Sequence, residues 1–491
     1  MRMNSIVHHR NDLQRVAHRA LYDRGLLDRF DNAVLGQLDG IYGASTESGD
    51  DIRDLRGLPW CSIDNDESRD LDQLSAALDL GDGSVRVFIA IADVDTLVVK
   101  GTPIDAHAAQ NTASVYVAGH VYPMLPERLS TDFTSLGQGV DRVSLIIEYV
   151  VRPEGSLAES EISRGLVRNH AKLAYDAVAA WLDGQGPLPE SAAAVLGMDA
   201  QLRLQDGVAI RLRELRHQKG ALDFASLEAR PLWKDDEVVG MHAEKPNRAK
   251  RLIEEFMIAA NGVVARFLEA KGRPALRRVV RSPERWAKIA AVAEKFGEWL
   301  PGQPSARALE AFLAKRRVAD PLRFPDLSLV IVKLMGAGEY VAELPGESHA
   351  GHFGLSVKDY THATAPNRRF SDLVTQRLLK AALAEKPSPY GIAELSAIAL
   401  HCTNQESNIA KVERQVHKSA AVLLLERRVG ETFDGLVTGA AEKGTWVRII
   451  DPPAEGRLVQ GAQGLHVGDK VRVTLVSTDF ERGFLDFARS H

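Results

Sequence analysis

Between Cys61 and Gln73 the chain reads Cys61-Ser-Ile-Asp-Asn-Asp-Glu-Ser-Arg-Asp-Leu-Asp-Gln73, which places Asp64, Asp66, Glu67, Asp70 and Asp72 within nine positions. Carboxylates at that density repel one another, so a fold must either leave them to solvent or gather cations among them. Hard divalent cations take oxygen ligands, and magnesium binds through one or two carboxylates completed by water and phosphate. Phosphodiester hydrolysis uses such ions to activate water and to stabilise the leaving oxygen. A calcium loop of the EF-hand type is a poor match: counted from Asp64, the sixth position lacks glycine and the twelfth is Ser75. The bland alternative is a solvated acidic turn. Cys61 is no nucleophile in such company, because neighbouring carboxylates disfavour its thiolate.

The sequence around this cluster is that of a mixed α/β (α+β) protein. Apolar runs at Val85–Ala92 and Val143–Val151 predict strands. The spacing of Leu252, Ile253, Phe256, Met257 and Ala260 predicts one amphipathic helix over Asn247–Lys271, and a second is expected to begin near Pro366. Ahead of the cluster, Leu13, Val16, Ala17, Ala20 and Leu21 recur at helical spacing. Phe30, Val34, Leu38 and Ile41 then form a second face, with Asp28 or Asp31 as its cap. Residues 1–50 therefore read as a small helix-turn-helix-like unit, and 51–428 as one large mixed domain. Residues 429–491 break into five short strands, Thr432–Val437, Thr445–Ile450, Gly456–Val459, Lys470–Val476 and Gly483–Phe487, as expected of an OB barrel. On that barrel Phe433 and Trp446 are either stacking surfaces for RNA beside Arg448, Lys470 and Arg472, or core rings.

Lys+Arg number 61 against 66 Asp+Glu, a net charge of -5, which argues against a non-specific polyanion coat but leaves room for a local basic channel. Two cysteines, Cys61 and Cys402, supply neither a disulfide framework nor a thiolate zinc site. His349 and His352 have a zinc-like separation but lack a further soft ligand set. With no signal-peptide pattern and no apolar stretch long enough to span a bilayer, the expected location is the cytoplasm.

The segment Ile52-Arg-Asp-Leu-Arg56, followed by Ser62 to Asp72, resembles the catalytic signature of the ribonuclease II/R family, a set of bacterial 3′-to-5′ exoribonucleases. Asp64, Asp70 and Asp72 match the first three aspartates of that signature, and Gln73 stands where the fourth is expected. Further matches follow in order: Val87–Val94, Thr112–Pro126, Ala171–Asp176, Ile253–Asn261, and His352–Leu355 followed by Thr364–Asp372. The resemblance implies that Asp64, Asp70, Asp72 and Gln73 hold one or two Mg2+ ions, with Asp72 and Arg368 catalytic. It also implies that Tyr116, Tyr175, Glu413 and Arg368 contact RNA. Where relatives often carry an aromatic and a histidine, this chain reads Leu276-Arg-Arg-Val-Val-Arg-Ser-Pro283, so no stacking role carries over there.

The implied activity is hydrolytic release of nucleoside 5′-monophosphates from single-stranded RNA by a monomeric enzyme. The loss of one carboxylate at Gln73 keeps open a non-catalytic RNA-binding regulator with a degenerate metal site. A DNA-binding role for the first 50 residues is the weaker rival, since Asp and Glu offset their arginines. Relatives typically place two RNA-binding barrels ahead of the catalytic domain. The helical character of residues 1–50 leads to the expectation of a less roofed RNA path and closer approach to structured regions.

Overall fold

The run Val85–Ala92 becomes the middle of a seven-stranded sheet, with every residue but Arg86 buried. Burial on both faces explains why its sequence is continuously apolar and does not alternate. The computed structural model describes residues 10–225, 229–234, 237–243, 246–321, 323–347, 350–441 and 444–490. In chain order the first nine strands are β1 (Ile52–Asp54), β2 (Cys61–Asp64), β3 (Gln73–Asp79), β4 (Val85–Ala92), β5 (Val115–Val117), β6 (His120–Tyr122), β7 (Asp141–Val151), β8 (Leu157–Arg168) and β9 (Ala171–Ala174). The large sheet runs β1-β8-β7-β4-β3-β2-β9, with parallel pairs at its two edges and antiparallel pairs between. Strands β5 and β6 form a separate hairpin.

Strand β3 pairs with β4 along its length, but with β2 only at Cys61 and Ser75. Its outward backbone would be left without partners deep in the core. Gln201, on the helix Met198–Gln218, fills the gap by bonding both ways to Ala77, with its amide donating to the Ala77 carbonyl at 2.9 Å. Gln205, one turn on, accepts from Ser75 Oγ at 2.7 Å. The side chains of one helix thus substitute for a missing strand.

The predicted helix over 247–271 is present as Arg248–Ala270, capped by Asn247, whose side chain accepts from Lys250 N–H. It packs beneath the sheet, with Phe256 fully buried. Two ribbons flank it in the chain, β10 (Ala229–Lys234) with β11 (Glu237–Ala243) before it and β12 (Ala275–Val279) with β13 (Glu339–Glu343) after it. The C-terminal strands β14 (Thr432–Ala441), β15 (Gly444–Ile449), β16 (Ala454–Gln460), β17 (Lys470–Asp479) and β18 (Phe484–Arg489) close into a five-stranded barrel. Phe433 is buried in the core that includes this barrel, and Trp446 is half-buried against Gly439. Arg448 pairs with buried Asp326 at 2.8 Å, whereas Lys470 and Arg472 are exposed.

The N-terminal apolar face lies where expected, on the helix Arg10–Tyr22, and Asp31 rather than Asp28 caps the helix Asn32–Asp39. The first helix shares a core with the barrel, the β5–β6 hairpin and the 34-residue helix Ile392–Leu425. Among the described residues, no helix is long and apolar enough to cross a membrane. His349 lies outside the described residues, and His352 accepts a hydrogen bond from Leu355 N–H.

Replacing Gln201 by Ala should strand the Ala77 N–H and C=O. At about 1–3 kcal/mol for a buried group left without a partner, the urea midpoint should fall clearly below that of the wild type. An unchanged midpoint would show that water replaces the amide.

Candidate active site

The sheet separates the five clustered carboxylates by depth. Asp66 and Glu67 lie on the exposed loop between β2 and β3, Asp64 and Asp70 are half-buried, and Asp72 is only 2% exposed. Asp64 ends β2, while Asp72 immediately precedes β3 and extends its ladder, its carbonyl accepting from Ala92 N–H. Between them Leu71 is buried, and Ser135 holds the turn by accepting from Leu71 N–H and donating to the Arg69 carbonyl.

Asp72 accepts from Asn367 N–H at 2.9 Å and from Arg368 Nε at 3.1 Å. Burial pushes its carboxyl up to about 7. The Arg368 guanidinium and the Asn367 N–H pull the other way, and Asp70 and Asp372 add to the rise. Asp70 is raised as well, by burial first, with Arg368 opposing and Asp64 reinforcing. Asp64 is braced by Ser68 Oγ and Asn65 N–H, and the Gln73 amide donates to its other oxygen at 3.5 Å. At the position of the fourth aspartate, a hydrogen-bond donor therefore faces Asp64.

Arg368 does not sit at a helix start. The helix begins at Phe370, and Arg368 lies in the turn before it. That turn is held by Asp372, fully buried, whose carboxylate accepts from Thr364 N–H, Ala365 N–H and Arg369 Nη2 at 2.8–2.9 Å. Arg369 is thus a structural ion pair, while the Arg368 side chain keeps 42% of its surface accessible. Sequence reasoning assigns no role to Asp372 or to the Asn367 N–H. The acidic first-turn position of Asp372 was a usable signal, but a backbone donor carries none.

The two tyrosines flank the carboxylates. The β2–β9 register pairs Asp64 with Ala174 and so sets Tyr175, the next residue, beside Asp64. Burial raises the Tyr175 phenol, and Asp64 raises it further. Tyr116 stands on β5, 41% exposed, with its phenol raised by burial, lowered by Arg368 and raised again by Asp70 and Asp72. Glu413, on the helix Ile392–Leu425, accepts from Tyr116 N–H at 2.9 Å and so anchors the hairpin.

The donor set is oxygen-only, as suits a hard cation, and burial with neighbouring carboxylates raises Asp70 and Asp72. Among the described residues, no three His, Cys, Asp or Glu side chains converge closely enough to form a ready-made metal cage. A cation here would rely on water and a substrate phosphate for the rest of its shell.

Residues 52–385 match the RNB domain, and residues 431–490 match the RNase II-type exonuclease C-terminal S1 domain. The chain belongs to the RNB domain family. It is 28% identical over 473 residues to Ribonuclease R 1 of Lactococcus lactis, an alignment covering 88% of this chain and 56% of the relative. It is 29% identical over 472 residues to Ribonuclease R of Escherichia coli, covering 89% and 57%. The chain thus spans somewhat under three fifths of these curated relatives. Its fold is like that of the apo form of Mycoplasma genitalium RNase R, with a TM-score of 0.87 at 20% identity over 98% of this chain and 78% of that one. It is also like that of yeast Ssd1, described as a pseudonuclease, with a TM-score of 0.72 at 16% identity over 95% and 58%.

Replacing Gln73 by Asp removes the donor facing Asp64 and sets a like charge beside it. Without divalent cation, the variant should melt below the wild type. Added magnesium should stabilise it more strongly, by RT ln(1 + [L]/Kd) with a smaller Kd. Identical magnesium titrations of the two melting curves would place residue 73 outside any cation shell.

Proposed function

We propose that the chain is a magnesium-dependent exoribonuclease that hydrolyses RNA from its 3′ end and releases nucleoside 5′-monophosphates. The observation that carries this reading is the joining of Asp72 to Asn367 and Arg368, which sets a half-buried guanidinium beside a graded row of carboxylates between two tyrosines. Asp64, Asp70 and Asp72 would hold one or two Mg2+ ions, with the Gln73 side chain alongside. Asp72 keeps free lone pairs for this beyond its two hydrogen bonds. Such an ion, when bound, supplies the charge that favours attack by water and departure of the leaving oxygen.

Within that frame each protein group has a task. Arg368 takes the developing charge on the phosphoryl oxygens, since its planar fork suits phosphate and its Nε is fixed on Asp72. Tyr116 and Tyr175 offer ring faces to the terminal nucleotides. Glu413 fixes the Tyr116 backbone and lies near enough to share in that contact. We take residues 1–50, 51–428 and 429–491 as the helical unit, the catalytic domain and the RNA-binding barrel. We take the enzyme to be cytoplasmic and monomeric. Single-stranded 3′ ends are the proposed substrate, and structured RNA with such an overhang falls within range. A related fold, Mycoplasma genitalium RNase R, has been solved in complex with double-stranded RNA.

The deciding experiment follows 5′-labelled single-stranded RNA with and without magnesium. A ladder shortening from the 3′ end, with mononucleotide release, is expected only with the metal. Binding without any shortening would favour the RNA-binding regulator suggested by Gln73. Asp72→Asn should lower turnover by several orders of magnitude with RNA affinity nearly unchanged, because the shape stays while the charge goes; turnover near wild type would remove Asp72 from catalysis. Tyr116→Ala should lengthen the final fragment, since one stacking surface is worth on the order of 1–3 kcal/mol. An unchanged fragment would make Tyr116 a structural ring.

A further inference from the structure

The stretch of chain that carries Tyr116 is gripped at both ends by residues from the N-terminal helical unit. At its start, the Asn111 side chain accepts from Leu27 N–H at 2.8 Å and donates to the Leu27 carbonyl at 2.9 Å. Beside it, Gln110 Nε2 donates to the Gly25 carbonyl at 3.0 Å. At the far end, Arg10 donates through Nε and Nη2 to the Gly119 carbonyl in the β5–β6 turn, at 3.2 and 2.9 Å, with its guanidinium over the Trp233 ring. Gly119 has φ +80°, and a Cβ there would lie 2.9 Å from Trp233 Cζ2 and 3.1 Å from Arg10 Nε, so this turn is closed around glycine. Between the two grips, Leu13, Val16, Ala17 and Ala20 share a core with Val115, Val117 and Tyr122.

The same stretch is bonded directly to the chain around Arg368. Thr112, a β-branched residue at φ +62°, turns out of the helix Pro103–Asn111. That backbone conformation is unfavourable for its side chain. Its carbonyl accepts from Phe370 N–H at 2.7 Å, and Ser114 N–H donates to the Arg368 carbonyl at 3.0 Å. From Asn111 to Ser114 the chain therefore passes from the N-terminal grip to the arginine-bearing turn.

We infer that residues 10–27 are a positioning element of the active site, setting the Tyr116 hairpin against Arg368, and are not an independent nucleic-acid reader. Three of their four arginines are held within the protein, while Arg19 is exposed. Arg10 is spent on Gly119, Arg15 pairs with Glu481 of the barrel region at 2.7 Å, and Arg24 donates to the Ala20 carbonyl and to Gln415. The role of Tyr116 in holding RNA rests on the exoribonuclease reading, but the mechanical coupling does not.

The test compares Arg10→Ala and Arg10→Lys, each in the wild-type and the Tyr116→Ala background. In Arg10→Ala, amide exchange across 112–122 should quicken by on the order of tenfold, the scale of one charge-assisted hydrogen bond. Its final RNA fragment should lengthen as in Tyr116→Ala, and the double variant should be no worse than Tyr116→Ala alone, because both act through one ring. Arg10→Lys, which keeps the charge and a donor, should recover part of both effects. Unchanged exchange in 112–122, additive losses in the double variant, or a loss of salt dependence in RNA binding as the sole effect would each overturn the inference. Should the wild-type protein shorten no RNA, the exoribonuclease reading fails, and the exchange measurement still decides the coupling.

Discussion

Asp72 is a carboxylate 2% exposed, held between one backbone N–H and one guanidinium that lie 295 and 296 positions further along the chain. Burying such a charge is costly unless it is paired and hydrogen-bonded. The β-sheet and the Thr364–Arg369 turn must therefore meet in one register, or neither is stable in place. The demand passes outward, because the turn has no regular structure of its own. Asp372 supplies its order by taking two of its N–H groups and Arg369, and the Thr112–Ser114 segment pairs with it from the other side. The chemistry of the site and the closure of the fold are thus one arrangement.

Around Asp72 the carboxylates are ranked by their access to water. Asp66 and Glu67 lie on an exposed loop, Asp64 and Asp70 are half-buried, and Asp72 sits where burial moves its titration toward neutrality. The acidic-turn reading describes Asp66 and Glu67, and the proposed metal site would draw on the less exposed Asp64, Asp70 and Asp72. Gln73 belongs to the inner part, and its amide softens the repulsion around Asp64. A donor at this position lets the site exist without a cation more comfortably than a fourth carboxylate would.

Several charged residues near the site are tied to the protein itself. Glu413, proposed as an RNA contact, also anchors the backbone beneath Tyr116. Arg448, expected as a cation for RNA on the barrel, ties that barrel to Asp326 and the helix Phe324–Met335. Arg277 and Arg278, standing where relatives often carry an aromatic, are consumed by Glu343 and by Glu406 with the Tyr340 ring. In each case a charged side chain that looked available along the chain is paired in space.

The sequence by itself determined the central strand Val85–Ala92, the amphipathic helix over 248–270 and the five strands of the barrel, because local apolar spacing dictates which face is buried. It also determined the chemical character of the site, since the order and spacing of Asp64, Asp70, Asp72 and the Thr364–Asp372 stretch are written in the chain. It misplaced the helix start, putting it at Pro366 and not Phe370, because the intervening turn is held by Asp372 and Thr112 through contacts no local pattern contains. Which of five carboxylates would be buried, which arginine would face the cleft and which would pair inward, and that the N-terminal helix would grip the Tyr116 hairpin were decided by tertiary structure alone. These outcomes depend on desolvation and on partners far away in sequence, and neither exists until the chain has folded around them.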